Sequence, residues 1–183
     1  TKTWTQSPAT GGFFAGVDAG VSSNCSFTDL TITGCRQMGL SAGSRSIIRC
    51  VTACGNGTGI DLPSKYASSV VEHCVAGENM GLGIKAGMST VSHCTVEFNG
   101  ADGISADNGT IASCSAWENK GTGISANFAS VSFCSALYNG RHGIDASSGV
   151  LAFCKSATNN RTQSSWVDLD ATGATRTGNS PTP

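Results

Sequence analysis

Glu78, Phe98, Glu118 and Tyr138 recur at steps of 20 residues, and Gly77, Glu97, Trp117 and Leu137 recur beside them. Together they predict one outer stripe of carboxylates and aromatic rings. Sugars use that combination: a ring face to stack on and acceptors for hydroxyl groups. The expected binding residues are Glu78, Phe98, Trp117, Glu118 and Tyr138. If positions 20 apart lie on adjacent strands about 4.8 Å apart, the Glu97 and Glu118 carboxyls stand about 5–7 Å from one another. Carboxylate pairs at such separations carry out glycoside chemistry. No catalytic set is assigned, and Glu97, Glu118 and His93 are the residues from which one would be drawn. The plainer reading of the stripe is a solvated face with scattered aromatics.

His73 and His93 also lie 20 apart, with Glu72 nearby. They read as a metal or acid–base pair, or as two surface rings in a column that later holds Phe133 and Phe153. The second reading is preferred. His142, with Arg141 before it and Asp145 after, lies on the Gly-Ile strand; Lys85 shares an outer column with Asp61 and is read as ordinary surface charge. Cys74, Cys94, Cys114, Cys134 and Cys154 are spaced by 20, with Cys50 taken as a sixth member 24 before. A zinc site needs ligands converging on one point, whereas these sulfurs form a line. They are therefore read as small buried hydrophobes, mostly free thiols, and no metal or cofactor is expected. Cys25, Cys35 and Cys54 fall off the line and are the better disulfide candidates. Asn79, Asn99, Asn119, Asn139 and Asn159 form a second column, read as stacked amides bonded along the repeat. Four N-x-S/T sequons, at Asn24, Asn56, Asn108 and Asn160, matter only in a glycosylating source.

The elements behind these columns follow from the period. Ile47, Val71, Val91, Ile111, Val131 and Leu151 precede the cysteines by three, and Thr52, Ala76, Val96, Ala116, Ala136 and Ser156 follow by two. Gly-Ile pairs recur at Gly59, Gly83, Gly103, Gly123 and Gly143, and Ala86, Ala106, Ala126 and Ala146 come after them. Apolar residues at i and i+2 mark short strands with one buried face. Three strands and three corners per 20 residues make a solenoid coil that buries its inner face only by stacking on its neighbours. About eight coils are expected, with four extra residues in a loop around Pro63 to Tyr66.

The pattern V-x-x-C-x-A-x-x-N-x-x-x-G-I-x-A resembles the right-handed parallel β-helix repeat proteins of the pectate-lyase-like superfamily. The handedness also follows the general rule for parallel crossovers. The expected fold is all-β: a right-handed parallel β-helix over residues 16–170, with an internal Cys ladder and an Asn ladder. Residues 1–15 are read as a cap, with Trp4, Phe13 and Phe14 plugging the open core. Residues 171–183 are read as a flexible tail. The resemblance implies polysaccharide lyases, hydrolases or epimerases. The signatures N-x-D, G-H-G, R-I-K and Y-G-[FI]-D-P-H are absent, and Gly140-Arg141-His142-Gly143 is only a near miss to one of them.

Lys and Arg number 11 against 12 Asp and Glu, a net charge of −1, which argues against a nucleic-acid binder. No apolar stretch approaches the roughly 20 residues of a membrane span. Ranks of Thr for ice binding break at Ser130 and Val150. Exposed strand edges at the ends suggest end-to-end self-association or a longer natural chain. Opening on Thr1 fits a processed piece. The expected function is a non-catalytic scaffold that binds polysaccharide, secreted or in the cell envelope. The alternative is a polysaccharide-active enzyme using surface carboxylates.

Overall fold

The structure is a computed structural model that describes residues 2–5, 15–20, 22–62, 68–159 and 168–181. Short strands wind around a central axis, and every pairing between coils is parallel. One wall holds Val70–Glu72, Thr90–Ser92, Thr110–Ala112, Ser130–Ser132, Val150–Ala152 and Thr175–Thr177. A second wall holds Val75–Gly77, Thr95–Glu97, Ser115–Trp117, Ser135–Leu137, Lys155–Ala157 and Ser180–Pro181. The longer strands Ser26–Thr33 and Ile47–Cys54 run through both walls and join them into one sheet. The third wall is an eight-stranded sheet running from Ala15–Asp18 to Leu169–Asp170, so seven turns separate its first and last strands.

Inward residues form the columns that the spacing predicts. Ile84, Ile104, Ile124 and Ile144 are fully buried, as are Val71, Val91, Ile111, Val131 and Leu151. The Gly before each Ile is required by close approach. A Cβ on Gly83 would lie 2.6 Å from the Gly103 carbonyl oxygen and 2.8 Å from Asn99 Nδ2. The Asn ladder runs through that space. Asn79, Asn99, Asn119 and Asn139 each donate from Nδ2 to Oδ1 of the next Asn, at 2.9, 2.8, 3.0 and 2.8 Å. Asp168 Oδ1 accepts from Asn159 at 2.8 Å and closes the ladder.

All three corners turn through left-handed backbone. Cys50, His73, His93, Ser113, Phe133 and Phe153 occupy the corner between the first two walls, at φ from 52° to 55°. Glu78, Phe98, Glu118, Tyr138 and Thr158 occupy the corner between the second and third, at φ from 48° to 57°. Met88, Asn108, Phe128 and Ser148 turn the remaining corner. Left-handed backbone costs a side-chain-bearing residue roughly 1–2 kcal/mol. From His73 to Phe153 the N–H of each corner residue bonds to the next coil, as in His73 N to Ser92 O at 3.1 Å and Glu78 N to Glu97 O at 3.0 Å. The sheet hydrogen bonding thus continues around the bend, and the corner side chain projects outward.

Three expectations change. First, Cys50 does not belong to the Cys ladder. Arg49 pairs with Glu72 and Thr52 with Val75, which sets the exposed Cys50 on the His73 corner and Val51 in the Cys74 column. Ile48 and Ala53, fully buried, replace Ile47 and Thr52 as the inward residues. The loop before Val70 does add four residues relative to the next coil, but the turn after Asn56 is one shorter than the turn after Asn79. Second, Asn56 is a ladder member: its N–H donates to Asn79 Oδ1 at 2.9 Å, and its side chain is buried. Third, residues 171–181 do not form a loose tail. Thr175–Thr177 pairs with Val150–Ala152, and Ser180–Pro181 with Lys155 and Ser156. These residues satisfy an edge that the composition of the segment did not reveal.

At the other end, Lys2–Thr5 pairs with Leu30–Thr33, within the segment read as a cap. Phe13, Phe14, Pro63 to Tyr66 and Asn160 lie outside the described residues.

Candidate functional site

The stripe sits on the corner between the second and third walls. Strand register sets Gly77, Glu97, Trp117 and Leu137 in one column at the end of the second wall. The left-handed residues Glu78, Phe98, Glu118 and Tyr138 form the adjacent column. The two columns make a checkerboard. On successive coils the pairs are Gly-Glu, Glu-Phe, Trp-Glu and Leu-Tyr, so Glu97 and Glu118 lie on one diagonal and Phe98 and Trp117 on the other. The aromatic diagonal is in contact: the Phe98 and Trp117 centroids are 4.8 Å apart, edge to face at 78°. Phe98 is 43% exposed and Tyr138 is 40% exposed. Three carboxylates, Glu78, Glu97 and Glu118, share this patch with no Lys or Arg in either column. Glu78, Phe98, Trp117, Glu118 and Tyr138 thus lie along one corner over four successive coils.

His93 is not part of that patch. It turns the opposite end of the Thr95–Glu97 strand, where it stacks on His73 with centroids 4.9 Å apart. Further along the same corner Phe133 stacks on Phe153 at 5.3 Å and 7°. The corner thus accepts any planar ring that continues the stack. The nearby Glu72 is paired with Arg49. Lys85 pairs with Asp61 at 3.2 Å.

Two further features lie away from that corner. The Phe133–Phe153 stack, 63% and 54% exposed, is a second aromatic ridge. Its signal was present in the column that also holds His73 and His93. His142 is buried, with Nε2 4.0 Å from Asp170 Oδ2. The step from Asp145 to Asp170 is 25 residues, so the regular period does not bring Asp170 to it. A groove of about 300 Å³ on the third corner, lined by residues including Ser69, Ser89 and Thr110, has neither a ring nor a charged side chain in its walls.

All nine thiols are free, including Cys25, Cys35 and Cys54. Cys74, Cys94, Cys114, Cys134 and Cys154 are buried, and each S–H donates to the carbonyl two residues back, at 3.2–3.4 Å. That carbonyl precedes the left-handed corner residue, so Cys fills the core and satisfies the bend at once. The neighbouring thiols of Cys114 and Cys74, and then burial, push the Cys94 thiol well above the ordinary range. No three His, Cys, Asp or Glu side chains converge on one point among the described residues. A thiol reagent on the native protein is expected to modify Cys25, Cys50 and Cys54 within minutes and the five ladder thiols far more slowly, at the rate at which the coils open locally. Counting released chromophore before and after denaturant tests this, and rapid reaction of more than four thiols would contradict it.

The repeat, the parallel walls and the corner geometry meet in one comparison. The family described as "Right handed beta helix region" matches residues 15–162. The chain belongs to that family. Among solved structures, this β-helix is similar to the periplasmic alginate epimerase AlgG, with a TM-score of 0.59 and 14% identity, covering 86% of this chain and 44% of that one. It is also similar to the pectate lyase Pel9A, with a TM-score of 0.50 and 11% identity, covering 93% of this chain and 46% of that one. The β-helix therefore spans less than half the length of either. No curated protein sequence matches it. At these identities the likeness is one of fold.

Proposed function

We propose that this β-helix binds a neutral polysaccharide on the Glu/aromatic corner, without catalysing a reaction on it. The observation that carries the reading is the Phe98–Trp117 edge contact, which holds two rings on adjacent coils with three carboxylates around them. A ring fixed by its neighbour loses little freedom when a sugar stacks on it. The carboxylates accept hydroxyl hydrogen bonds but repel an anionic polymer across the same surface. That charge pattern points to neutral glycans, whereas the two named neighbours carry alginate and pectate in their names. Those neighbours support a polysaccharide partner in general, and the description of AlgG as periplasmic supports a secreted or envelope location.

The test is retention of the purified protein on immobilised neutral and acidic polysaccharides, followed over hours for chain shortening. Retention on neutral polymers with their length unchanged is expected. Shortening would favour a polysaccharide-active enzyme, and retention on none would remove the corner as a sugar site.

A further inference from the structure

We propose that the cysteine ladder is a binding site for soft divalent d10 cations, of which mercuric ion is the type, each held in line between the thiolates of two adjacent coils. The warrant is the uniform placement of the five sulfurs. Each of Cys74, Cys94, Cys114, Cys134 and Cys154 makes the same contact with the carbonyl two residues back. Each also approaches the same carbonyl column on the coil below, from Ile48 to Val131, at 3.7–3.9 Å. Identical contacts mean one side-chain conformation repeated, so the sulfurs advance by the strand spacing. That spacing is about 4.8 Å, and two metal–thiolate bonds of about 2.3 Å in line span about 4.6 Å. Heavier d10 ions form slightly longer bonds than zinc, which closes the difference.

Coordination number and charge select the ion. A line of sulfurs offers two ligands to a point between coils, too few for tetrahedral zinc. Soft thiolates favour soft cations. A divalent ion that displaces two protons gives a neutral RS–M–SR unit, with both protons released to buffer. A monovalent ion held by two thiolates would leave a net negative charge in an apolar core, which is costly. Five thiols make two adjacent pairs with one left over, so the capacity is two ions per chain. The thiols are 1–2% exposed, and uptake therefore proceeds through local opening of the coils.

The experiment uses the full chain carrying Cys25→Ser, Cys50→Ser and Cys54→Ser, which removes the outward thiols. Cys35 has no thiol on the adjacent coil, where Asn56 stands in its column. Mercuric chloride is titrated in degassed buffer. Sulfur-to-mercury absorption, X-ray absorption at the mercury edge, proton release and circular dichroism are followed together. Two ions per chain are expected, each with two sulfurs and two protons released, with the β signal retained. Adding Cys94→Ala and Cys134→Ala leaves no two thiols on adjacent coils and should abolish two-sulfur uptake. Adding Cys74→Ala and Cys154→Ala instead leaves a run of three and should halve the capacity to one ion, which decides the matter if the first variant does not fold. Capacity unchanged in the variants that fold, one sulfur per mercury, or loss of the β signal at two equivalents would overturn the assignment.

Discussion

Asn119→Leu is expected to lower the stability of the protein by about 3–6 kcal/mol, from two to three buried polar groups losing partners at about 1–3 kcal/mol each. Asn119 Oδ1 accepts from the backbone N–H of Asn99 at 3.2 Å and from its Nδ2 at 2.8 Å. Its Nδ2 donates to the Val96 carbonyl at 3.2 Å and to Asn139 Oδ1 at 3.0 Å. Leucine has a similar volume and makes none of these bonds. The site is fully enclosed, so water cannot replace them. Whole domains are stable by only about 5–15 kcal/mol, so a large part of the total is at stake. Urea unfolding followed by circular dichroism measures the change. Asn127→Ala is the control: Asn127 Nδ2 donates to Asp107 Oδ1 at 3.4 Å on the surface, the backbone N–H bond to the same oxygen is kept, and the loss should shift stability by less than about 0.5 kcal/mol. Equal midpoints for the two variants would show that the ladder does not hold the coils together.

The second large effect concerns the corner. Trp117→Ala is expected to weaken binding to a neutral polysaccharide about 30-fold, the result of losing about 2 kcal/mol at a central aromatic contact. The substitution removes the ring that Phe98 meets edge-on, while the Ser115–Trp117 strand keeps its backbone partners on both sides. Glu118→Gln keeps an acceptor at the same place and should change affinity by less than about threefold. Phe133→Ala, on the other exposed ridge, should leave affinity unchanged. Affinity electrophoresis in gels containing the polymer reads all three. Loss of binding in Phe133→Ala with Trp117→Ala intact would move the site to the Phe133–Phe153 ridge.

Much of this architecture is legible in the sequence because each coil repeats the same packing problem. Ile84, Ile104, Ile124 and Ile144 face one interior, and Asn79 to Asn159 meet one bend, so composition at a period of 20 reports directly on contact. Legibility fails where the period slips. Matching Cys50 to Cys74 looked natural by residue type, yet the shortened turn after Asn56 moves the backbone by one position. Register then follows hydrogen bonding, and Val51 takes the inward place. The segment from Ala171 was hidden for another reason. Thr175, Thr177 and Pro181 suit either a linker or an edge strand, and only the open edge of Val150–Ala152 decides between them. The stripe was legible as columns, because Glu78, Phe98, Glu118 and Tyr138 share a spacing. Its left-handed backbone and the contact across the diagonal were not, since both depend on the corner bending outward, which the spacing alone does not specify.

The unbroken run of four equal coils from Cys74 to Phe153 has a consequence for how such a molecule changes. Removing residues 94–113 would join Cys74's coil to Cys114's with every column still aligned, because the excised segment is one whole period. The rod would shorten by about 4.8 Å and otherwise close seamlessly. Inserting a copy would lengthen it by the same step. Length in this protein is therefore a counted quantity, adjustable by gene duplication without redesign, and the spacing between features at its two ends can be set independently of what those features are.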